Sequence, residues 1–105
     1  MKNSIEKINQ FRDERNWRQF HNAKDLALSV SLEAAELLEI FQWRSSEEAI
    51  AAEPEHLKEE IADVLIYTLM LADDLQMDVS EIIDEKLAKN AIKYPIVDTI
   101  DDQNS

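Results

Sequence analysis

Two pairs of acids carry the most pointed chemistry in this chain: Glu33 and Glu36 in SLEAAELLEIFQW, and Glu60 and Asp63 in LKEEIADVLIYTLMLA. Each pair is spaced i, i+3, which on a helix stacks its members about one turn apart on one face. Asp63 interrupts an otherwise uncharged run from Ile61 to Ala72, and Glu33 falls on the line of Leu26, Val30, Leu37 and Ile40. These acids therefore point where a core should be. A buried carboxylate without a cationic partner costs several kcal/mol, and the usual remedies are protonation, a salt bridge or a bound metal ion. Oxygen ligands in this number suit a hard divalent cation, Mg²⁺ or Mn²⁺. Glu39 extends the first series by one more i, i+3 step, as a further ligand, a water activator or the exposed end of the line.

The elements that must position these acids are helices. The chain contains no glycine, on which hairpin turns depend, and no convincing strand alternation, so an all-α fold is expected. A first helix is expected from Ser4, as its cap, to Asn16, with Ile5, Ile8, Phe11 and Arg12 as a narrow stripe. Asn22 is expected to cap a second helix over Ala23–Trp43, and Ser46 a short turn over EEAIAAE. Pro54 suits the first turn of a third helix reaching Gln76. Asp78, with Glu81 three residues on, caps a fourth that ends near Ala91, before Pro95. Counting along helices two and three as an antiparallel hairpin puts Glu36 and Glu60 each about 10 Å from the connection, with Glu33 and Asp63 one turn deeper. The two pairs then meet at one level. Acidic pairs are common on solvated helix faces, but two pairs at matched depth, one inside an apolar run, are not.

Composition narrows the partners. The 105 residues allow one domain, here 1–95, followed by an acidic tail, 96–105, expected to be mobile. A net charge of −12 repels nucleic acid and anionic membranes. No stretch reaches the roughly 20 apolar residues of a membrane span, and the charged N-terminus does not read as a signal peptide, so a cytoplasmic location is expected. With no cysteine, thiolate zinc sites, disulfides and cysteine nucleophiles are excluded. Without glycine, any phosphate must be held by side chains and metal rather than by a glycine-rich loop. Candidate phosphate and sugar contacts are Lys86, Asn90 and Lys93, near i, i+4, i+7, with Tyr94 following, and more weakly Lys24. Tyr67 sits one turn beyond Asp63 on the same helix face.

The pattern E33xxE36, then E60xxD63, resembles the signature of the MazG-like all-α nucleoside triphosphate pyrophosphohydrolases. The likeness extends through FRDERNWRQFHNAKDLALSVSLEAAELLEIFQW, EEIADVLIYTLMLA and KLAKNAIKYP, and is similar to the short single-domain branch that includes the dCTP pyrophosphatases. The resemblance implies a four-helix bundle completed by homo-oligomerisation, and Mg²⁺, or Mn²⁺, on Glu33, Glu36, Glu60 and Asp63. It also implies cleavage of a nucleoside triphosphate, a dNTP first of all, between the α and β phosphates, in the service of nucleotide-pool control or clearance of non-canonical nucleotides. Glu36 or Glu39 would take the proton from the attacking water. Trp17, His21 and Trp43 map onto base-pocket positions, and the likeness strengthens Asn90. A triphosphate of about four negative charges could not meet four carboxylates without cations between them.

The all-round apolar character of helix three calls for burial against a second copy, so a homodimer or tetramer is expected. Two other classes stand beside this reading. A non-catalytic acidic helical oligomer acting as an interaction module would bind no divalent metal. A di-iron carboxylate bundle would need a Glu-x-x-His from each of two helices, and Glu53–His56 offers that spacing only once.

Overall fold

A computed structural model describes residues 1–97, and within them every regular element is helical: α1 Lys2–Glu14, a 3₁₀ turn Arg18–Phe20, α2 Ala23–Glu39, α3 Ser46–Ala52, α4 Pro54–Asp74 and α5 Val79–Lys93. Of the acidic tail expected over 96–105, residues 98–105 lie outside the described residues. Asn22 caps α2 by accepting from Asp25 N–H, and Asp78 caps α5 by accepting from Glu81 N–H. Pro54 occupies the first turn of α4, where its missing N–H costs nothing.

Several helix boundaries differ from the sequence expectation. Met1, not Ser4, precedes α1, and Ser4 makes no capping bond. Ser45, not Ser46, caps the short helix after α2, its side chain accepting from Glu48 N–H, and the seven residues that follow form a helix of their own. Beyond Glu39, α2 tightens: Ile40, Phe41 and Gln42 donate to residues three back, at 3.3, 3.0 and 3.1 Å, and Trp43 then enters the left-handed region at φ 64°. α4 closes at Asp74 and α5 runs on to Lys93.

The absence of glycine has a visible consequence at these ends. Asn16 and Gln76 take the left-handed position that glycine usually fills after a helix, at φ 55° and 59°. In both, the next residue's N–H returns to a carbonyl of the last turn, Trp17 to Arg12 at 2.9 Å and Met77 to Ala72 at 3.0 Å.

α2 and α4 pack together more extensively than any other pair and form the expected antiparallel hairpin, which sets the site. α1 lies across the far end of α4: Ile5 and Ile8 cover a small core of Leu69, Ala72 and Val79. Arg12, an expected stripe residue, is fully buried at 0% exposure, yet as a polar group, donating to both oxygens of Asp74 and to Asn9 Oδ1 at 2.6 Å.

Much apolar surface stays exposed: Leu28, Leu32 and Leu38 on α2, Ile61 and Leu65 on α4, Leu87 and Ile92 on α5. The radius of gyration is 18.1 Å, against about 13 Å for a compact chain of this length. Among the described residues no helix is long and apolar enough to cross a membrane.

Candidate active site

The hairpin brings Glu33 and Glu36 of α2 and Glu60 of α4 to one point, each offering a carboxylate oxygen within 4.8 Å of the others. Their helix positions explain this. Glu33 and Glu36 are one turn apart on the face of α2 that meets α4, while Glu60 begins the apolar face of α4 and is 8% exposed.

Electrostatics at this point are unresolved by the protein alone. Burial pushes the Glu33 carboxyl up to about 7 from its ordinary 4.5, helped by hydrogen bonding with Glu60 and Glu36 and by the negative charges of Glu36 and Asp63. Glu33 Oε2 and Glu60 Oε2 are both buried without a hydrogen-bond partner. Buried polar atoms are nearly always paired, so these two orphaned oxygens belong to a cluster that could hold a cation. No basic side chain approaches them as an ion-pair partner among the described residues except His56, whose Nε2 is 3.5 Å from Glu60 Oε1. The donor set, all carboxylate oxygen, fits a hard divalent ion.

Asp63 lies outside the group of three. It sits one turn along α4 from Glu60, close enough for its charge to act on Glu33. It also lines a cavity of about 420 Å³ with Lys7, Phe11, Trp17, Tyr67 and the apolar Ile8, Ile66 and Met70. Trp17 meets Phe11 edge to face at 5.3 Å, so two aromatic rings and Tyr67 border a space that begins at a carboxylate. A second recess of about 400 Å³ opens over Glu36, Glu39, Glu60 and His56, with Gln42 and Glu53 on its rim. Glu39 therefore shares a recess with two of the clustered acids.

His21 does not line either space. Its Nδ1 stands 3.4 Å from Arg12 Nη1 and its ring meets Trp17 edge to face at 6.5 Å. Burial, with the Arg12 charge second, holds its pKa below the ordinary value. Its place is behind Trp17, as support. Trp43 is 93% exposed, and Lys24, Lys86, Asn90, Lys93 and Tyr94 line neither space. Lys93 lies over the Tyr94 ring, 5.3 Å from its centroid.

Several residues here escaped the sequence reading. Phe11 was expected in the core stripe, and Lys7 carried no signal at all. Glu53 and His56, whose single Glu-x-x-His spacing falls short of a di-iron motif, hold each other, Nδ1 to Oε1 at 3.3 Å. That contact lowers the pKa of Glu53 and raises that of His56. The i, i+4 step from His56 to Glu60 was the available clue.

A family model described as MazG-like matches residues 28–104. The chain belongs to the MazG-like family. It is 38% identical over 92 residues to dCTP pyrophosphatase 1 of Rattus norvegicus and 36% identical over 91 residues to that of Homo sapiens, covering 83% and 82% of the chain. These matches take in 54% of each relative, so the chain spans about half the length of the curated relatives it matches. A crystallised pyrophosphatase from Archaeoglobus fulgidus DSM 4304 superposes with a TM-score of 0.85 at 45% identity, over 91% of this chain and 93% of that one.

Proposed function

We propose that this MazG-like chain hydrolyses a nucleoside triphosphate, a deoxynucleotide by preference, between its α and β phosphates to give the monophosphate and pyrophosphate. The observation that carries the reading is the pair of buried, unpartnered oxygens on Glu33 and Glu60 beside a cavity walled by Phe11, Trp17 and Tyr67. A charge-hungry acid cluster and an aromatic slot are the two halves of a nucleotide site. The curated relatives are dCTP pyrophosphatases by name, which makes dCTP the first substrate to try.

In this reading Glu33, Glu36, Glu60 and Asp63 hold Mg²⁺, with Mn²⁺ an alternative. When bound, such an ion supplies a water of lowered pKa and neutralises charge building on the leaving pyrophosphate. The chain's own groups supply the rest. Glu36 and Glu39 face the same recess, and either can accept the proton of the attacking water. Trp17 and Tyr67 stack the base, and the Ile8, Ile66 and Met70 wall keeps water from it. Asp63 borders both functions and fixes how far the base sits from the phosphates.

A second copy completes the site. The exposed leucines of α2 and the extended shape call for a partner, and across such an interface Lys86, Asn90, Lys93 and Tyr94 of α5, with Trp43, would serve the triphosphate. The test is pyrophosphate release from a panel of dNTPs and NTPs, with Mg²⁺ and with EDTA. Metal-dependent release from at least one deoxynucleotide is expected; no turnover of any would overturn the reading.

A further inference from the structure

We infer that His56 is a positioning residue for Glu60, held in place by Glu53 and Arg44. The imidazole stands between two carboxylates on consecutive turns at the start of α4: Nδ1 is 3.3 Å from Glu53 Oε1 and Nε2 is 3.5 Å from Glu60 Oε1. Glu53 is fixed from its other side by Arg44, whose Nη1 donates to Oε2 at 2.7 Å. A chain of polar contacts thus runs from the α2–α3 connection, Arg44 to Glu53 to His56, and ends on a carboxylate of the cluster.

The local fold is arranged for this. Glu53 sits at the N-cap position of α4 but makes no capping bond, so its carboxylate is spent on Arg44 and His56 rather than on the helix. Arg44 directly follows Trp43, which takes the left-handed conformation where the chain leaves α2. An aromatic residue in that region costs about 1–2 kcal/mol, a cost that a connection used only to join two helices could avoid with another residue. The consequence is felt at Glu60. Its Oε2 is buried and unpartnered, while the other oxygen, Oε1, is the one that His56 contacts. Fixing one oxygen orients the other, as outer partners do for metal-binding carboxylates.

This inference rests on the proposal that the carboxylates hold a divalent cation, and the experiment separates the two. Mn²⁺ alone is titrated into the full chain and free ion is read by electron paramagnetic resonance, with no nucleotide present. The unsubstituted chain is compared with His56→Leu, His56→Gln and Glu53→Gln, each checked for an unchanged melting profile by circular dichroism. His56 is half exposed and Glu53 lies on the rim, so folding is expected to survive all three. Expected is a roughly tenfold weaker Mn²⁺ affinity for His56→Leu, the size typical of outer-partner losses. Glu53→Gln weakens it less, and His56→Gln, whose amide reaches about where Nε2 lies, restores most of the affinity. At saturating Mg²⁺ the KM for nucleotide stays the same, whereas a direct phosphate contact would raise it. Equal Mn²⁺ affinity in the unsubstituted chain and His56→Leu overturns the role of His56. No Mn²⁺ binding by the unsubstituted chain overturns the metal reading and this role with it.

Discussion

Arg12 of α1 and Asp74 of α4 form a two-pronged ion pair, Nη1 and Nη2 donating at 3.0 and 2.9 Å to the two carboxylate oxygens, with the guanidinium wholly removed from solvent. Asn9 accepts from the same guanidinium and donates to Asp73, so four side chains lock α1 onto the end of α4. Removing one partner strands the other. Asp74→Asn, which leaves the buried Arg12 charge without its counter-ion, is expected to cost about 3 kcal/mol in urea unfolding. Because α1 also carries Phe11 and leads into Trp17, the same substitution is expected to loosen the aromatic cavity and raise the KM for nucleotide before kcat changes.

Two of the perturbed carboxylates, Asp74 and Glu33, give opposite pH dependence in metal-free protein. Arg12 holds Asp74 below the ordinary carboxylate range, so its stabilisation is present at neutral pH and is lost only as acid brings the pH below that range. Glu33 is raised to about 7, so its contribution is full below its ordinary 4.5 and is lost as the pH climbs through 7. In EDTA the melting temperature is therefore expected to be higher at pH 5 than at pH 8. Saturating Mg²⁺ is expected to shrink that difference, because the ion favours the charged form. Scanning calorimetry at the two pH values, with and without metal, checks both statements.

Gln76 ends α4 in a conformation that suits glycine, and nothing about its side chain requires glutamine there. Gln76→Gly relieves the left-handed cost of about 1–2 kcal/mol while adding about 0.5–1 kcal/mol of chain entropy to the unfolded state. A net gain of about 0.5–1 kcal/mol is expected, visible as a melting temperature higher by a few degrees. Activity is expected to stay the same, since Gln76 lies at the opposite end of α4 from Glu60.

Trp17 offers its ring to the cavity that starts at Asp63, and its own partners are Phe11 and His21. Trp17→Ala is expected to raise KM about tenfold, the worth of one stacking face, with a smaller change in kcat. His21→Ala is expected to act more weakly in the same direction, since His21 supports the ring without lining the cavity. Steady-state kinetics with dCTP distinguishes the two.

The hairpin and its acids were legible because periodicity and capping are local: Asn22, Pro54 and Asp78 mark helix starts with side chains that act within one turn. The ends were less legible. A chain with no glycine hides its helix stops, and Asn16, Trp43 and Gln76 take left-handed positions that their residue types do not announce. At the site, i, i+3 spacing paired Glu33 with Glu36 and Glu60 with Asp63, and the hairpin count brought the two pairs to one level. It could not say that Asp63 would also border the aromatic cavity, nor that Arg12, expected as part of an apolar stripe, would be buried as a charge paired with Asp74. Those outcomes depend on contacts between residues more than sixty positions apart, Arg12 with Asp74 and Asn9 with Asp73.

The central claim is that the carboxylate cluster hydrolyses a nucleoside triphosphate at its α–β bond only when a divalent ion is held there. The direct measurement is product identity from dCTP by anion-exchange chromatography, for the unsubstituted chain and Glu36→Gln, in Mg²⁺ and in EDTA. Expected are dCMP and pyrophosphate in equal amounts with Mg²⁺ and neither with EDTA. For Glu36→Gln, kcat is expected to fall about 100-fold or more with the fold intact, the scale of a lost metal ligand. Release of dCDP and phosphate, turnover that persists in EDTA, or full activity in Glu36→Gln would contradict it.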